Sequence, residues 1–191
     1  MLLSFKVSNS RSIGEMVELS MIADPSITDL QERNTVYIEK YDIHVLKVAA
    51  IYGANASGKI NFIKSIIDAA NILEKGLFKE SDSKNKILNI ENRLNQNRSQ
   101  NFKNESTRYI FIFYSNGVVY EYKFSANSTR IIDEQILIYP DNLDKFYTFF
   151  RRSFDSEKKS INGFFTKIFH QKYKLSQNLI QKERILGSIK L

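Results

Sequence analysis

The stretch that decides the fold is Val45-Leu46-Lys47-Val48-Ala49-Ala50-Ile51-Tyr52-Gly53-Ala54-Asn55-Ala56-Ser57-Gly58-Lys59-Ile60-Asn61. Its first part, residues 45–52, is a nearly continuous apolar run, which predicts a strand buried on both faces. From Gly58 onward the apolar residues recur at helical spacing, and Lys75-Gly76 is a typical helix end. The predicted buried stripe of this helix consists of Ile63, Ile66, Ile67 and Ala70, broadened by Phe62, Ala69 and Leu73.

The loop between strand and helix, residues 53–59, matches G-x-x-x-x-G-K, the opening of the Walker A motif or P-loop. Gly53 and Gly58 let the backbone curl so that successive N–H groups and the helix N-terminus hold phosphate oxygens. Lys59 adds a positive charge for the β- and γ-phosphates. The alternative is a glycine-containing turn that binds nothing, but the spacing, the lysine and the predicted flanking elements together favour a phosphate site for ATP. The predicted binding residues are Gly53, Asn55, Ala56, Ser57, Gly58, Lys59, Ile60 and Asn61.

The position after Lys59 departs from the motif. Walker A has Ser or Thr there, because that hydroxyl is a ligand of the Mg²⁺ that bridges the β- and γ-phosphates. Ile60 has no ligating atom, and Asn61 comes one residue too late to point the same way on a helix. We therefore expect phosphate binding by the backbone to survive, and metal placement and hydrolysis to be impaired.

Other groups that could perform catalysis or hold a metal are scarce. The nearest look-alike of an acidic Walker B strand end is Ile131-Ile132-Asp133-Glu134, but only two apolar residues precede the acids, so we interpret these as carboxylates at a strand edge. His44 and His170 lie far apart in sequence without ligand spacing, and the chain has no cysteine. We predict neither a catalytic residue nor a metal site formed by protein ligands alone.

The rest of the chain is organised as strands, an insertion and a basic tail. Leu3, Phe5 and Val7 alternate with polar residues, as do Val17, Leu19 and Met21 after a polar turn, which predicts a hairpin or a pair of neighbouring strands. Two apolar runs at 109–114 and 118–124 flank Asn116-Gly117, the strongest hairpin signal in the chain. A further strand is predicted at residues 136–139, ending at Pro140. We expect a mobile insertion at residues 79–106 and a basic helical tail at residues 151–191.

Composition limits the class of protein. The 191 residues suffice for one domain or lobe with a real core, 42% of them are apolar, and the net charge is +7. No apolar run approaches the length of a membrane span, and the N-terminus lacks the basic leader of a signal peptide, so a cytoplasmic protein without membrane contact is expected. Residues 151–191 alone sum to +7. A basic segment of this kind contacts nucleic acid or an acidic partner, or is simply a solvated face.

Two parts of the sequence resemble one known group. The opening Leu2-Leu3-Ser4-Phe5-Lys6-Val7-Ser8-Asn9-Ser10-Arg11-Ser12-Ile13 and the segment 46–62 are similar to the AAA-family ATPases with ABC-like heads, relatives of the SMC, RecF and OLD proteins. In that group the opening reads N-F-[KR]-S and the P-loop G-x-N-A-S-G-K-S-N. The Asn55-Ala56-Ser57 interior is narrower than the general Walker pattern, and Ile60 is the departure from it.

The resemblance implies an α/β chain, an α+β lobe that combines strand, P-loop and helix with an antiparallel strand set. Residues 1–191 would be the N-terminal lobe of a P-loop ATPase that binds ATP with Mg²⁺. Its protein partner would be a second ATPase head or an effector or nuclease subunit, and DNA is a further possible partner. Many of the group belong to bacterial restriction or abortive-infection loci. Its L-S-x-G signature, strong Walker B strand and switch histidine do not occur in these residues.

Three functions remain open at this point. The chain is an ATP-binding lobe of an ABC-like ATPase, a non-hydrolysing interaction fragment that docks on a partner subunit, or a nucleic-acid-binding module that acts through residues 151–191. Ile60, together with the lack of a signature and of a strong Walker B strand in residues 1–191, favours ATP binding over ATP hydrolysis by these residues.

Overall fold

The computed structural model describes residues 1–29, 31–75, 106–127, 130–155, 157–158 and 160–165. The fold of this part is α+β and is dominated by a seven-stranded antiparallel sheet. The sheet order is β2-β1-β5-β6-β7-β8-β9, and a separate two-stranded sheet pairs β3 with β4. The strands are β1 Leu2–Ser8, β2 Val17–Ser20, β3 Thr35–Ile38, β4 Ile43–Leu46, β5 Thr107–Ser115, β6 Val118–Ala126, β7 Ile131–Tyr139, β8 Tyr147–Asp155 and β9 Ser160–Phe165.

Helices are few in the described residues. A short helix α1 spans Gln31–Asn34, a 3₁₀ turn spans Glu39–Tyr41, and the long helix α2 spans Lys59–Lys75. The predicted helix is confirmed from Lys59 as far as Lys75, and Gly76 lies outside the described residues.

Both predicted hairpins are present. β1 and β2 pair antiparallel with Phe5 opposite Leu19, and β5 and β6 pair antiparallel over their full length. At the tip of the second hairpin Asn116 has φ 51° and Gly117 has φ 78°, the two positive values that a type I′ turn requires. The turn residues Asn116 and Gly117 therefore predicted this hairpin correctly from the sequence.

The main sheet is covered on both faces. Helix α2 packs on one face, where Phe62, Ala69 and Ile72 join a buried cluster with Phe5 and Phe124. The small sheet covers the other face, because Ile38, Tyr41 and Val45 bury themselves with Leu3 and Val119. Val119 and Phe124 lie five positions apart on β6, so their side chains point to opposite faces.

The predicted buried strand at residues 45–52 is wrong. Only Val45 and Leu46 belong to a strand, β4, and residues 48–54 lie in no strand or helix. The physical reason is that this run has no sheet neighbour: β1 already lies between β2 and β5, and β4 pairs with β3. The α+β character and the antiparallel strand set are confirmed, but the strand–loop–helix unit of a P-loop fold is not present in this form.

Other expectations were partly wrong. Ile63, Ile67 and Ala70 are exposed, so α2 turns a different side to the sheet than its apolar spacing predicted. The strand predicted at 136–139 begins at Ile131 instead. Residues 151–155 and 160–165 form strands, not part of a helical tail, because they extend the sheet beyond β7. Residues 166–191 and most of the predicted insertion lie outside the described residues.

Candidate phosphate-binding site

The loop 53–58 joins an exposed segment to the N-terminus of α2, and its own residues are mostly exposed. Ala56 has φ 62° and Gly58 has φ 95°, so two residues of the loop adopt the left-handed conformation. That region is costly for residues with a side chain and routine for glycine. Ser57 N–H donates to the Ala54 carbonyl at 3.2 Å, which closes a tight turn inside the loop.

The first glycine of the motif also has a steric reason. A Cβ on Gly53 would lie 2.8 Å from Ser57 Oγ, so a larger residue here would require the Ser57 hydroxyl to turn away. Gly58 is tied to the loop geometry more firmly, by its backbone conformation.

Lys59 is held against the start of the loop. Its Nζ donates to the carbonyl oxygens of Gly53 at 2.7 Å and Ala54 at 2.6 Å, and it lies 3.4 Å from Ser57 Oγ. The Lys59 ammonium therefore ties the end of the loop to its start.

Several backbone donors of the loop are unused. Within the part of the chain that the structure describes, the N–H groups of Ala56, Gly58, Lys59 and Ile60 donate to no acceptor. The first N–H groups of a helix have no partner within the helix, and together with the helix dipole they favour an anion. The arrangement can chemically accept phosphate oxygens.

Neither Ile60 nor Asn61 offers a free oxygen ligand for a metal ion at this site. Ile60 is 66% exposed on the first turn of α2 and carries only an aliphatic side chain. Asn61 Nδ2 donates to Ser12 Oγ at 2.7 Å, so its amide is engaged with the turn that follows β1.

That turn, residues 9–14, is fastened to α2 by a ladder of polar contacts that sequence reasoning missed. Ser12 contacts Asn61, Ser10 Oγ lies 2.8 Å from Ser65 Oγ, and Arg11 pairs with Asp68 at 2.8 Å. The three helix residues are spaced i, i+4 and i+7, which places them on one side of α2. This polar spacing in an apolar helix was the signal that could have revealed the ladder. Both sequence segments that carried the family resemblance are brought together here.

The turn itself is held in shape by its backbone. Asn9 and Arg11 have positive φ values of 49° and 56°, and Thr107 Oγ1 donates to the Asn9 carbonyl at 2.7 Å. Ser12 Oγ lies 3.6 Å from the point where a Cβ on Gly58 would stand. The turn therefore reaches the phosphate-binding loop as well as the helix.

The two carboxylates considered for Walker B lie inside β7, an interior strand, rather than at a strand edge. Glu134 is buried and accepts hydrogen bonds from Tyr122 and Arg152. Asp133 Oδ1 lies 3.8 Å from Arg151 Nε. Burial raises the pKa of Tyr122 well above its ordinary value, and the adjacent Glu134 charge adds to that shift. These contacts give both acids a structural role.

Among the described residues no group of three or more His, Asp or Glu side chains is placed to hold a metal ion. Within the same residues, no helix combines the length and apolarity that crossing a membrane requires. Comparisons with protein-family models, with curated proteins and with solved structures found no match for this chain.

Proposed function

We propose that residues 53–61 bind the phosphate groups of ATP and that the chain acts as the nucleotide-binding lobe of an ABC-like ATPase in the cytoplasm. The observation that carries the proposal is the combination of unused N–H groups at Ala56, Gly58, Lys59 and Ile60 with the Lys59 ammonium held on the same loop. Backbone donors at a helix N-terminus together with one lysine form the phosphate cradle of P-loop proteins.

The same site argues for binding without efficient hydrolysis. Ile60 offers no oxygen to Mg²⁺, and the acids of β7 are engaged in ion pairs with Arg151 and Arg152. Hydrolysis by P-loop enzymes requires the metal and a residue that positions the nucleophile. The chain accordingly holds the nucleotide, and Mg²⁺ contributes little to its affinity.

The wider role that follows is regulation or defence in bacteria, in which a nucleotide-loaded lobe docks on a second ATPase head or an effector or nuclease subunit. This rests on the resemblance of the opening segment and the loop to the SMC, RecF and OLD group. DNA contact through the basic residues after position 150 is the second candidate, favoured by the +7 net charge of 151–191.

The test is a calorimetric titration of the 191-residue chain with ATP, ADP and AMP, each with Mg²⁺ and with a chelator. We expect ATP and ADP to bind with similar affinity in both conditions, and AMP to bind more weakly because it lacks the β-phosphate. Absence of binding for all three nucleotides would refute the proposal. Binding that requires Mg²⁺ would refute the argument from Ile60.

A further inference from the structure

The seven-stranded sheet ends in two edge strands, β2 and β9, and these two edges differ in length and charge. β2 has four residues, and its Glu18 forms an ion pair with Lys6 on the neighbouring strand. β9 has six residues, Ser160–Phe165, and none of them is charged or a proline. An edge strand is commonly protected from pairing by shortness, by charged side chains or by proline. β2 has the first two of these protections, and β9 has none of the three.

The outer side of β9 is open for pairing. Its inner side pairs antiparallel with β8 along its whole length. Apart from that ladder, the backbone groups of β9 make no hydrogen bond in the described part of the chain. Ile161, Asn162 and Gly163 are exposed, and Ile161 keeps 45% of its surface accessible. A strand with unpaired N–H and C=O groups and an exposed apolar side chain is a template for a further strand.

The regular attachment of β9 to β8 keeps this edge straight. The six register pairs between the two strands contain no bulge, the irregularity that turns many edges away from pairing. A Cβ on Gly163 would lie 3.0 Å from the carbonyl oxygen of Arg151, so the glycine allows β9 to lie close against its neighbour. The edge is therefore a continuous ladder of six residues.

The lack of charge on β9 selects a second copy of the chain as its occupant. Antiparallel pairing of a strand with its own copy places identical side chains opposite or near each other, and like charges in such pairs are destabilising. Two copies of β9 bring no charge together, whereas two copies of β2 bring two Glu18 side chains together. Pairing of β9 with itself also closes, because the same edge is used on both copies of a twofold dimer.

The charges around β9 determine how strong this contact is. Residues 151–191 sum to +7, so two copies joined at β9 bring two basic segments together, and these repel each other. Salt screens the repulsion beyond about 10 Å at an ionic strength of about 0.1 M. A contact made by one pair of six-residue strands also falls at the low end of interface sizes, where association is weak and transient. The self-association is therefore weak and becomes stronger as salt is added, whereas an acidic partner would bind less tightly.

We propose that β9 pairs antiparallel with β9 of a second copy of the chain, so that two seven-stranded sheets join into one sheet of fourteen strands. The twofold axis stands perpendicular to the sheet, and the outer backbone groups of β9 find their partners on the second copy. β9 is separated from β1 by four strands, so the turn after β1 and the loop on α2 remain accessible. The pairing does not require that residues 53–61 bind phosphate.

The experiment measures the distance between two copies with spin labels on the full 191-residue chain. Because the chain has no cysteine, one introduced cysteine carries one label at a chosen position. Asn162→Cys places the label on β9, and Val17→Cys, at an exposed position of β2, is the matched control. Thirteen strand spacings of about 4.8 Å separate the two β2 strands of a fourteen-stranded sheet. We expect a distance below about 20 Å between labels at position 162 and of about 60 Å at position 17.

Sedimentation equilibrium of the wild-type chain measures the strength of the contact. The dimer should be at least about threefold tighter at about 0.5 M salt than at about 0.05 M, because salt screens the repulsion. Ile161→Lys places two lysines on the paired edges and should weaken the dimer by about tenfold or more. Ile27→Lys, the same change at another exposed isoleucine, should leave it unaffected. Both positions are exposed, so thermal unfolding of the two variants should match the wild type.

Four results would overturn the proposal. A chain that stays monomeric at every concentration in high salt has no such contact. A short distance between labels at position 17 would assign the association to β2, and equal distances at positions 17 and 162 would indicate an open chain of β9 on β2. A dimer that weakens as salt is added would be held by charges instead. ATP titration of the same samples separates each of these results from that of the phosphate site.

Discussion

The Arg11 guanidinium donates to Asp68 Oδ2 twice, from Nη2 at 2.8 Å and from Nε at 3.1 Å, and both side chains are nearly buried. The pair connects the turn after β1 to the third turn of α2, and thus connects the sheet to the helix that carries the phosphate-binding loop. Breaking such a pair leaves a charge with its desolvation cost and without its partner.

We therefore expect Arg11→Ala to lower the free energy of unfolding by about 3 kcal/mol or more. The double variant with Arg11→Met and Asp68→Leu should lose less free energy of unfolding than the sum of the losses in Arg11→Met and in Asp68→Leu. The reason is that the double variant leaves no unpaired charge buried. Urea unfolding of the two single variants and the double variant measures the coupling. Additive losses would show that the pair does not act as a unit.

The left-handed conformation of Gly58 gives a prediction about the loop. Gly58→Ala places a side chain at φ 95°, so we expect the loop to rearrange and ATP affinity to fall by about tenfold. Gly117→Ala is the matched control, since it introduces the same kind of strain at φ 78° in the β5–β6 turn. Calorimetry should find ATP affinity reduced only in the first variant. Equal ATP affinity in both variants would contradict the role of the loop.

The exposed side chain at position 60 predicts a gain of function. Ile60→Ser supplies the hydroxyl ligand for Mg²⁺ that the Walker A motif has at this position, so ATP affinity should become dependent on Mg²⁺ and hydrolysis should be faster. Because Ile60 is exposed, stability should change by no more than about 0.5 kcal/mol. Ile63→Ser, one turn further along α2, is the control. Identical metal dependence and identical rates in both variants would contradict the argument.

A partly buried tyrosine predicts how stability depends on pH. Burial, with the Glu121 hydrogen bond at 2.9 Å as the second cause, raises the pKa of Tyr139 to about 12. The folded chain keeps a proton that the unfolded chain releases from about pH 10, so this contribution to the free energy of unfolding is complete below that pH and is lost as the pH approaches about 12.

Urea unfolding between about pH 9 and about pH 12 should therefore depend less steeply on pH in Tyr139→Phe than in the wild type. Tyr52→Phe, at an exposed tyrosine, should behave as the wild type does. The same slope in Tyr139→Phe and Tyr52→Phe would contradict the assignment.

Local signals predicted the fold well where a few neighbouring residues decide the structure. Asn116-Gly117 determined a hairpin because the turn itself demands positive φ, and α2 begins at Lys59, directly after the predicted loop. The start of α2 was predictable from its period, but its buried side was not. Both sides of this helix are apolar, and only the tertiary contacts of Phe62 and Ile72 decide between them.

Signals that depend on distant partners were less informative. The apolar composition of residues 45–52 indicates that their side chains favour burial. Burial of a strand requires neighbouring strands, and the described sheets provide none beside residues 48–52. Residues 131–135 and 151–155 contain too many charged or polar residues for their pattern to predict strands. Their ion pairs form between β7 and β8, so they could not be predicted without the pairing of these strands. The loop residues were predictable from the motif, whereas the ladder from Ser10, Arg11 and Ser12 required the folded turn.

The binding of ATP phosphates by Lys59 and the loop amides is tested most directly by calorimetry on two variants, with a chelator present. These are Lys59→Ala and Lys64→Ala, the second at an exposed lysine further along α2. We expect Lys59→Ala to lose about tenfold or more in ATP affinity and Lys64→Ala to bind ATP as the wild type does. Equal affinities in the two variants, or no ATP binding by the wild type, would contradict it.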